Sequence, residues 1–253
     1  MLLEGKNAII YGGAGAVGSA VATAFAREGA TVHLAGRTRK TLDEVADRLR
    51  ADGGRAETAV LDALDENAVD AHADAVAATA GSIDVSLNVI GYEDVHGTPL
   101  AEMSLEDFDR PIRNATRSTF LTTRAAARHM IRQRSGVILT FGGDGGREPI
   151  RDYYIGGFQV ALGSLDILRR QLAAELGEYG IRVLTLHTGG ITETLPEDFE
   201  GRDTIVDMIV SKTMLKRAAT FAEVGNVAAF AASDLASSMT SASLNITCGG
   251  VSD

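Results

Sequence analysis

The chain has 253 residues, 45% of them hydrophobic, and a formal net charge of -10; with no compositional shift along it, one large α/β domain spanning residues 1–253 is expected rather than two small ones. That acidic balance argues against nucleic acid and anionic membrane as partners. One cysteine, Cys248, rules out an internal disulfide, and with neither a signal-peptide pattern at Met1 to Lys6 nor an apolar run near the roughly 20 residues of a membrane span, the expected address is cytoplasmic.

Asn7 to Tyr11 is a short apolar run of a length that suits a buried strand, and Val17 to Ala26 repeats apolar residues at helical spacing. Between them lies Gly12-Gly13-Ala14-Gly15-Ala16-Val17-Gly18. Glycines there let the backbone take positive φ and come within van der Waals reach of a pyrophosphate, while the helix start offers unpaired N–H groups and a positive dipole end. With a second strand at Thr31 to Ala35 the unit reads strand, glycine turn, helix, strand, the setting in which such a turn binds a dinucleotide. Gly12, Ala14, Gly15, Val17 and Gly18 are its candidate contacts.

Gly36-Arg37-Thr38-Arg39-Lys40 follows, where this arrangement places the group that reads the adenine ribose. An acidic residue would bond a free 2′-hydroxyl and repel a 2′-phosphate. None is present, and Arg37 and Arg39 can pair with a phosphate, so the sequence favours NADP(H) over NAD(H), with Arg37 and Thr38 as contacts. The plainer reading of the same stretch is a solvated helix start.

Thr41 to Arg50 is an amphipathic helix with Leu42, Val45, Ala46 and Leu49 on one face, ended by Asp52-Gly53-Gly54. Ala56 to Leu61 reads as a third strand. Asp62, with Ala63 beside it, either accepts a hydrogen bond from an adenine amino group or caps the helix expected at Asn67 to Ala80. Ile83 to Ile90 is a buried strand whose carboxyl end should lie beside the glycine turn.

Ser104 and Asp107 resemble a capping box, and Pro111 is expected to kink or restart the helix they open. Thr116 to Arg134 continues it, with Arg113, Arg117, Arg124, Arg128 and Arg132 on one stripe that is either a wet face or a surface for acidic residues of a second subunit. A fifth strand spans Gly136 to Phe141, a second long helix Gly157 to Tyr179, and a sixth strand Ile181 to Leu186. The mixed segment Thr192 to Lys216 suits a lid over a substrate or an ordinary surface excursion. Phe221 to Ala232 is a last helix and Ser243 to Thr247 a last strand. His33, His72, His96, His129 and His187 show no metal-ligand spacing, so no metal site is expected. Alternating strands and helices predict a single-domain, doubly wound parallel sheet of Rossmann type with helices on both faces, and ligands past the carboxyl ends of its strands.

The order of these signals, from the glycine turn through Asp62, Asn88-Val89-Ile90-Gly91, Gly180-Ile181-Arg182-Val183 and Thr188-Gly189 to Gly249-Gly250, resembles the short-chain dehydrogenase/reductase family over nearly the whole chain. The resemblance implies a nicotinamide cofactor and a homodimer or homotetramer packed through the two long helices. It adds Asn88 and Ile90 to the expected cofactor contacts, together with Thr188, Gly189 and Ile191 beside the nicotinamide. Tyr11 and Ala16 stand where the family usually has a threonine and a glycine.

The family's catalytic Asn, Ser, Tyr and Lys fall on Ala115, Gly143, Phe158 and Leu162, none of which can do that work. Asn114 is one residue away, and Tyr153 and Tyr154 lie about one helical turn before Phe158, so a local shift restores an Asn and a Tyr. No shift restores the lysine, since none occurs between Lys40 and Lys212. Bringing a tyrosine from its ordinary pKa near 10 toward neutrality takes roughly 4 kcal/mol of electrostatic help, for which Arg147 and Arg151 are the nearest cations. Two readings follow. One is an NADP(H)-dependent oxidoreductase of a small carbonyl, alcohol or enone substrate, with Tyr153 or Tyr154 as proton donor. The other is a cofactor-binding protein of the same fold without redox turnover, either a non-redox pathway enzyme or a non-catalytic partner.

Overall fold

The computed structural model describes residues 1–143 and 153–252. Seven strands, β1 (Asn7–Tyr11), β2 (Thr31–Gly36), β3 (Arg55–Val60), β4 (Val85–Asn88), β5 (Gly136–Gly143), β6 (Ile181–Thr188) and β7 (Ala242–Ile246), form one sheet in the order β3-β2-β1-β4-β5-β6-β7. Every pairing is parallel. Helices α1 (Ala16–Arg27), α2 (Arg39–Ala51), α3 (Glu66–Ala80), α4 (Leu105–Gln133), α5 (Gly157–Leu176), α6 (Arg202–Lys212) and α7 (Phe221–Ala232) supply the crossovers.

The two-residue period of a strand divides the core. Ala8 and Ile10 of β1 pack with Val21 and Phe25 of α1, Leu42 of α2 and Val224 of α7. Ile9 and Tyr11 face the other way, among Val69 of α3, Leu121 and Met130 of α4, and Ala173 of α5. Strands covered on both faces must be apolar on both, and β1 is buried at all five positions. The order reverses at β1, which has β2 on one side and β4 on the other. The crevice past the carboxyl ends of β1 and β4 is therefore the place where such a sheet takes a ligand.

Three expectations need correction. Of the two outcomes expected at Pro111, a kink or a restart, the restart does not occur, because α4 runs unbroken for 29 residues with Pro111 buried inside it. Ser104 caps it by accepting the Asp107 N–H, and ion pairs of Arg110 with Glu106 and of Arg113 with Asp109 span the rung that proline cannot make. Second, β4 is four residues long rather than eight. Gln133 Oε1 accepts the Ile83 N–H before it, and at its end Asn88 Oδ1 accepts the Ile90 N–H, turning the chain out of the sheet. Third, the arginine stripe of α4 finds acidic partners within its own chain. Arg124 pairs with Glu66 and Asp70 of α3, Arg128 with Asp70, and Arg113 with Glu106.

Among the described residues no helix is long and apolar enough to cross a membrane.

Candidate functional site

The turn after β1 is tied to β2, with the N–H groups of Gly12 and Gly13 donating to the Ala35 carbonyl at 2.9 and 3.2 Å. Gly12 has φ 82°, and a Cβ there would stand 2.7 Å from the Val89 carbonyl oxygen of the neighbouring strand end. A Cβ on Gly18 would run into the Gly12 carbonyl. Only glycine lets the turn fold this tightly against both β4 and α1, which leaves bare backbone facing the crevice. A cradle that side chains would fill is what a dinucleotide phosphate requires, so these residues fit the cofactor.

A cleft of about 160 Å³ opens there, with Gly12, Gly15, Arg37, Asp62, Ala63 and Ile90 in its walls. Six of the sequence-expected contacts thus converge on one space. Asp62 does not cap α3. That role falls to Asp65, whose carboxylate accepts the Asn67 and Ala68 N–H groups, while Asp62 Oδ1 accepts the Leu64 N–H in a tight turn.

The remaining expected contacts lie outside this cleft. Ala14 and Val17 pack partly buried against the core, and Gly18 serves the turn's packing. Thr38 is the N-cap position of α2 without a side-chain cap bond. Asn88 is buried, its amide donating to Ser118 Oγ at 3.1 Å and reaching the Thr119 and Thr122 hydroxyls on α4. It holds the Ile90 turn rather than facing the cleft. Thr188 and Ile191 are buried, with the Ile191 side chain in the core, and Gly189 packs beside Thr247.

Glu93, Asp94, His96 and the hydroxyl ladder of α4 have no counterpart in the sequence-derived site. Glu93 lies in the cleft wall and its carboxylate meets Arg37 at 3.3 Å. Asn114 also lines the cleft, and its amide donates to the Tyr92 carbonyl at 3.2 Å. Tyr92 itself is buried, and burial together with the charge of Asp94 pushes its phenol pKa up. Ala115 is buried without a polar group to offer.

Beyond Tyr92 the loop after β4 meets the segment before α5. His96 Nδ1 lies 3.0 Å from the Tyr153 hydroxyl, and Nε2 lies 2.6 Å from Asp94 Oδ2. The His96 ring stands edge-on to Tyr153 at 5.4 Å and tilted against Phe158 at 5.8 Å. Tyr153 and Phe158 thus meet on one imidazole ring. Tyr154 is 55% exposed, and its backbone carbonyl accepts the Gly97 N–H. Among the described residues its side chain has no hydrogen-bond partner. The hydrogen bond from His96 holds the Asp94 carboxyl below the usual carboxylate range against the opposing effect of burial. Arg147 and Arg151 lie outside the described residues.

The expected lid contains a short helix, α6, none of whose residues is buried. It rests on a glycine: a Cβ on Gly190 would meet Ile209 at 2.7 Å. A larger cavity of about 340 Å³ sits at the amino ends of the strands, near Lys6, Asp84 and Arg182, away from these groups. Among the described residues no group of three His, Cys, Asp or Glu side chains is gathered as a metal ion would need.

A family model described as enoyl-(acyl carrier protein) reductase matches residues 12–251. The chain is 34% identical over 199 residues to an uncharacterized oxidoreductase, YxbG, of Bacillus subtilis, covering 79% of this chain and 71% of that one. It is 30% identical over 247 residues to a D-threitol dehydrogenase of Mycolicibacterium smegmatis, covering 96% and 92%. A solved gluconate 5-dehydrogenase of Burkholderia cenocepacia, in complex with NADP and tartrate, superposes with a TM-score of 0.88 at 25% identity, covering 98% of this chain and 95% of that one.

Proposed function

The chain belongs to the short-chain dehydrogenase/reductase family of oxidoreductases, and on that premise we propose that it is NADP(H)-dependent, acts on a small carbonyl, alcohol or enone substrate, and uses Tyr153 as its proton donor. The observation that carries the cofactor reading is Arg37, set by the end of β2 into the wall of the glycine-turn cleft, with no acidic residue from that strand end beside it. The related gluconate 5-dehydrogenase structure that holds NADP supports it.

A bound dinucleotide supplies or accepts the hydride at its nicotinamide ring. The chain's own residues do the rest. Gly12 and Gly15 would admit the pyrophosphate to the backbone, Arg37 would pair with the 2′-phosphate, and Asp62 and Ala63 would hold the adenine. Asn88 would support the site by fixing the Ile90 turn, and Thr188, Gly189 and Ile191 would hold the nicotinamide. Tyr153 gives its proton to the substrate oxygen in reduction and takes it back in oxidation. The segment 192–216 closes over the substrate, and α4 and α5, with Phe120, Val160 and Ile167 exposed, pack a homodimer or homotetramer.

Fluorescence titration should give tighter binding of NADPH than of NADH, and a panel of ketones and enones followed at the reduced-nicotinamide band should show turnover. Tyr153→Phe should lower that turnover by about 100-fold or more, and Tyr154→Phe should not. NADPH binding with no turnover on any substrate, or turnover indifferent to Tyr153→Phe, would overturn the reading.

A further inference from the structure

We propose that His96 and Asp94 are positioning residues for the Tyr153 phenol, and that together they stand in for the lysine this chain lacks between Lys40 and Lys212. The inference rests on Tyr153 being the proton donor and adds the two groups that make it one.

The geometry determines the direction of each hydrogen bond. An ionised carboxylate only accepts, so at 2.6 Å from Asp94 Oδ2 the His96 Nε2 carries a proton and donates it. In the neutral ring Nδ1 is then the unprotonated nitrogen, and it faces the Tyr153 hydroxyl at 3.0 Å as an acceptor. Phe158 of α5 forms an apolar wall on the imidazole, Asp94 comes from the ring's own loop, and Tyr153 comes from the segment before α5. Among the described residues Asp94 and Tyr153 are the titratable groups that touch the ring.

In alcohol oxidation the substrate O–H proton moves to Tyr153 Oη as the phenol's own proton moves to His96 Nδ1. The electron pair of the alcohol C–H bond leaves as the hydride accounted for above, and the carbon–oxygen bond becomes a carbonyl. The imidazolium so formed stands beside Asp94, which neutralises it. Reduction runs the same transfers backward, with His96 returning the proton to the phenolate. A positive charge thus arises beside Tyr153 only as the phenol passes its proton to His96, whereas a lysine would hold one permanently.

The test has two independent parts. In the unliganded protein, nitrogen-15 NMR of the His96 ring should show the Nε2–H tautomer, and Asp94→Asn should weaken that preference; an Nδ1–H tautomer overturns the proposal. In turnover, His96→Gln should lower kcat about 100-fold with KM and NADPH affinity unchanged, and should move the pH at which oxidation switches on upward by about one unit or more. Asp94→Asn should do the same to a smaller degree, and covers the case of a His96 variant that fails to fold. Adding Tyr153→Phe to His96→Gln should cost nothing further, because the groups act as a unit. Loss of activity in Tyr153→Phe with wild-type rate and pH profile in His96→Gln would sink this inference alone. A fully active Tyr153→Phe would sink the proton-donor reading beneath it.

Discussion

Arg37 at the end of β2 and Glu93 just past β4 meet at 3.3 Å, joining the two sides of the glycine-turn cleft. The pair is exposed, at 70% and 52% of the side-chain surface, so holding it closed is worth at most about 1 kcal/mol. A 2′-phosphate offers Arg37 a stronger, charge-assisted partner and must displace Glu93 to reach it. Glu93→Gln is accordingly expected to raise NADPH affinity by about twofold to fivefold, and Arg37→Gln to lower it by about tenfold or more with little change for NADH. Titration of both cofactors against the three proteins checks this. Equal losses for NADPH and NADH in Arg37→Gln would remove the 2′-phosphate from the argument.

Gly18 tests whether the turn's geometry is required. Its Cβ would collide with the Gly12 carbonyl, a backbone atom that cannot swing aside, so Gly18→Ala should cost about 1–3 kcal/mol of stability and weaken dinucleotide binding by more than about tenfold. Gly177 is the control. It has helical φ and nothing within 4 Å of an added Cβ, so Gly177→Ala should stabilise by about 0.4–1 kcal/mol through the unfolded chain. Denaturant midpoints that move in opposite directions are the expected outcome.

The outer faces of α4 and α5 carry Phe120, Val160 and Ile167 at 48%, 47% and 70% exposure. Burying what remains exposed of such side chains against a second copy gains about 1–2 kcal/mol each. Ile167→Glu combined with Phe120→Glu should therefore shift the species seen by light scattering from dimer or tetramer toward monomer. An unchanged mass would move the interface elsewhere.

What could be read from the residues alone was what depends on neighbours in the chain. Glycine spacing at 12 to 18 and the apolar face Leu42, Val45, Ala46 and Leu49 of α2 gave those elements correctly, because a tight turn and a helix face are local matters. The restart expected at Pro111 is absent from α4, since the ion pairs and the Ser104 cap that carry a helix past a proline outweigh a rule drawn from helix interiors. The arginine stripe was legible as a stripe, but its partners Glu66 and Asp70 lie more than fifty residues earlier, where only the α3–α4 packing could bring them. His96 was one of five scattered histidines until the fold set it against Tyr153, 57 residues away. The spacing of Asp94 and His96 just past a strand end was the one local hint.

His72 of α3 gives the last expectation, and its sign follows from burial. The imidazole stands edge-on to the Tyr11 ring at 5.9 Å, and burial, helped by nearby His33, lowers its pKa from 6.5 to about 4. A base whose folded pKa is depressed binds its proton more readily once unfolded. Its contribution to stability is therefore complete above 6.5 and is lost as pH falls from 6.5 toward 4, with no further loss below that. At about 1.4 kcal/mol per pH decade the gap is worth roughly 3 kcal/mol, on a total that in proteins of this kind is commonly 5–15. His72→Phe keeps an aromatic edge against Tyr11 and removes the titration, so it should flatten most of the decline in urea midpoint between pH 6.5 and 4. His33, whose pKa is lowered by the same burial, should leave a smaller decline behind. A variant whose midpoint falls as steeply as that of the parent over this range would mean that His72 takes up its proton without cost in the folded protein, and that the acid sensitivity arises elsewhere.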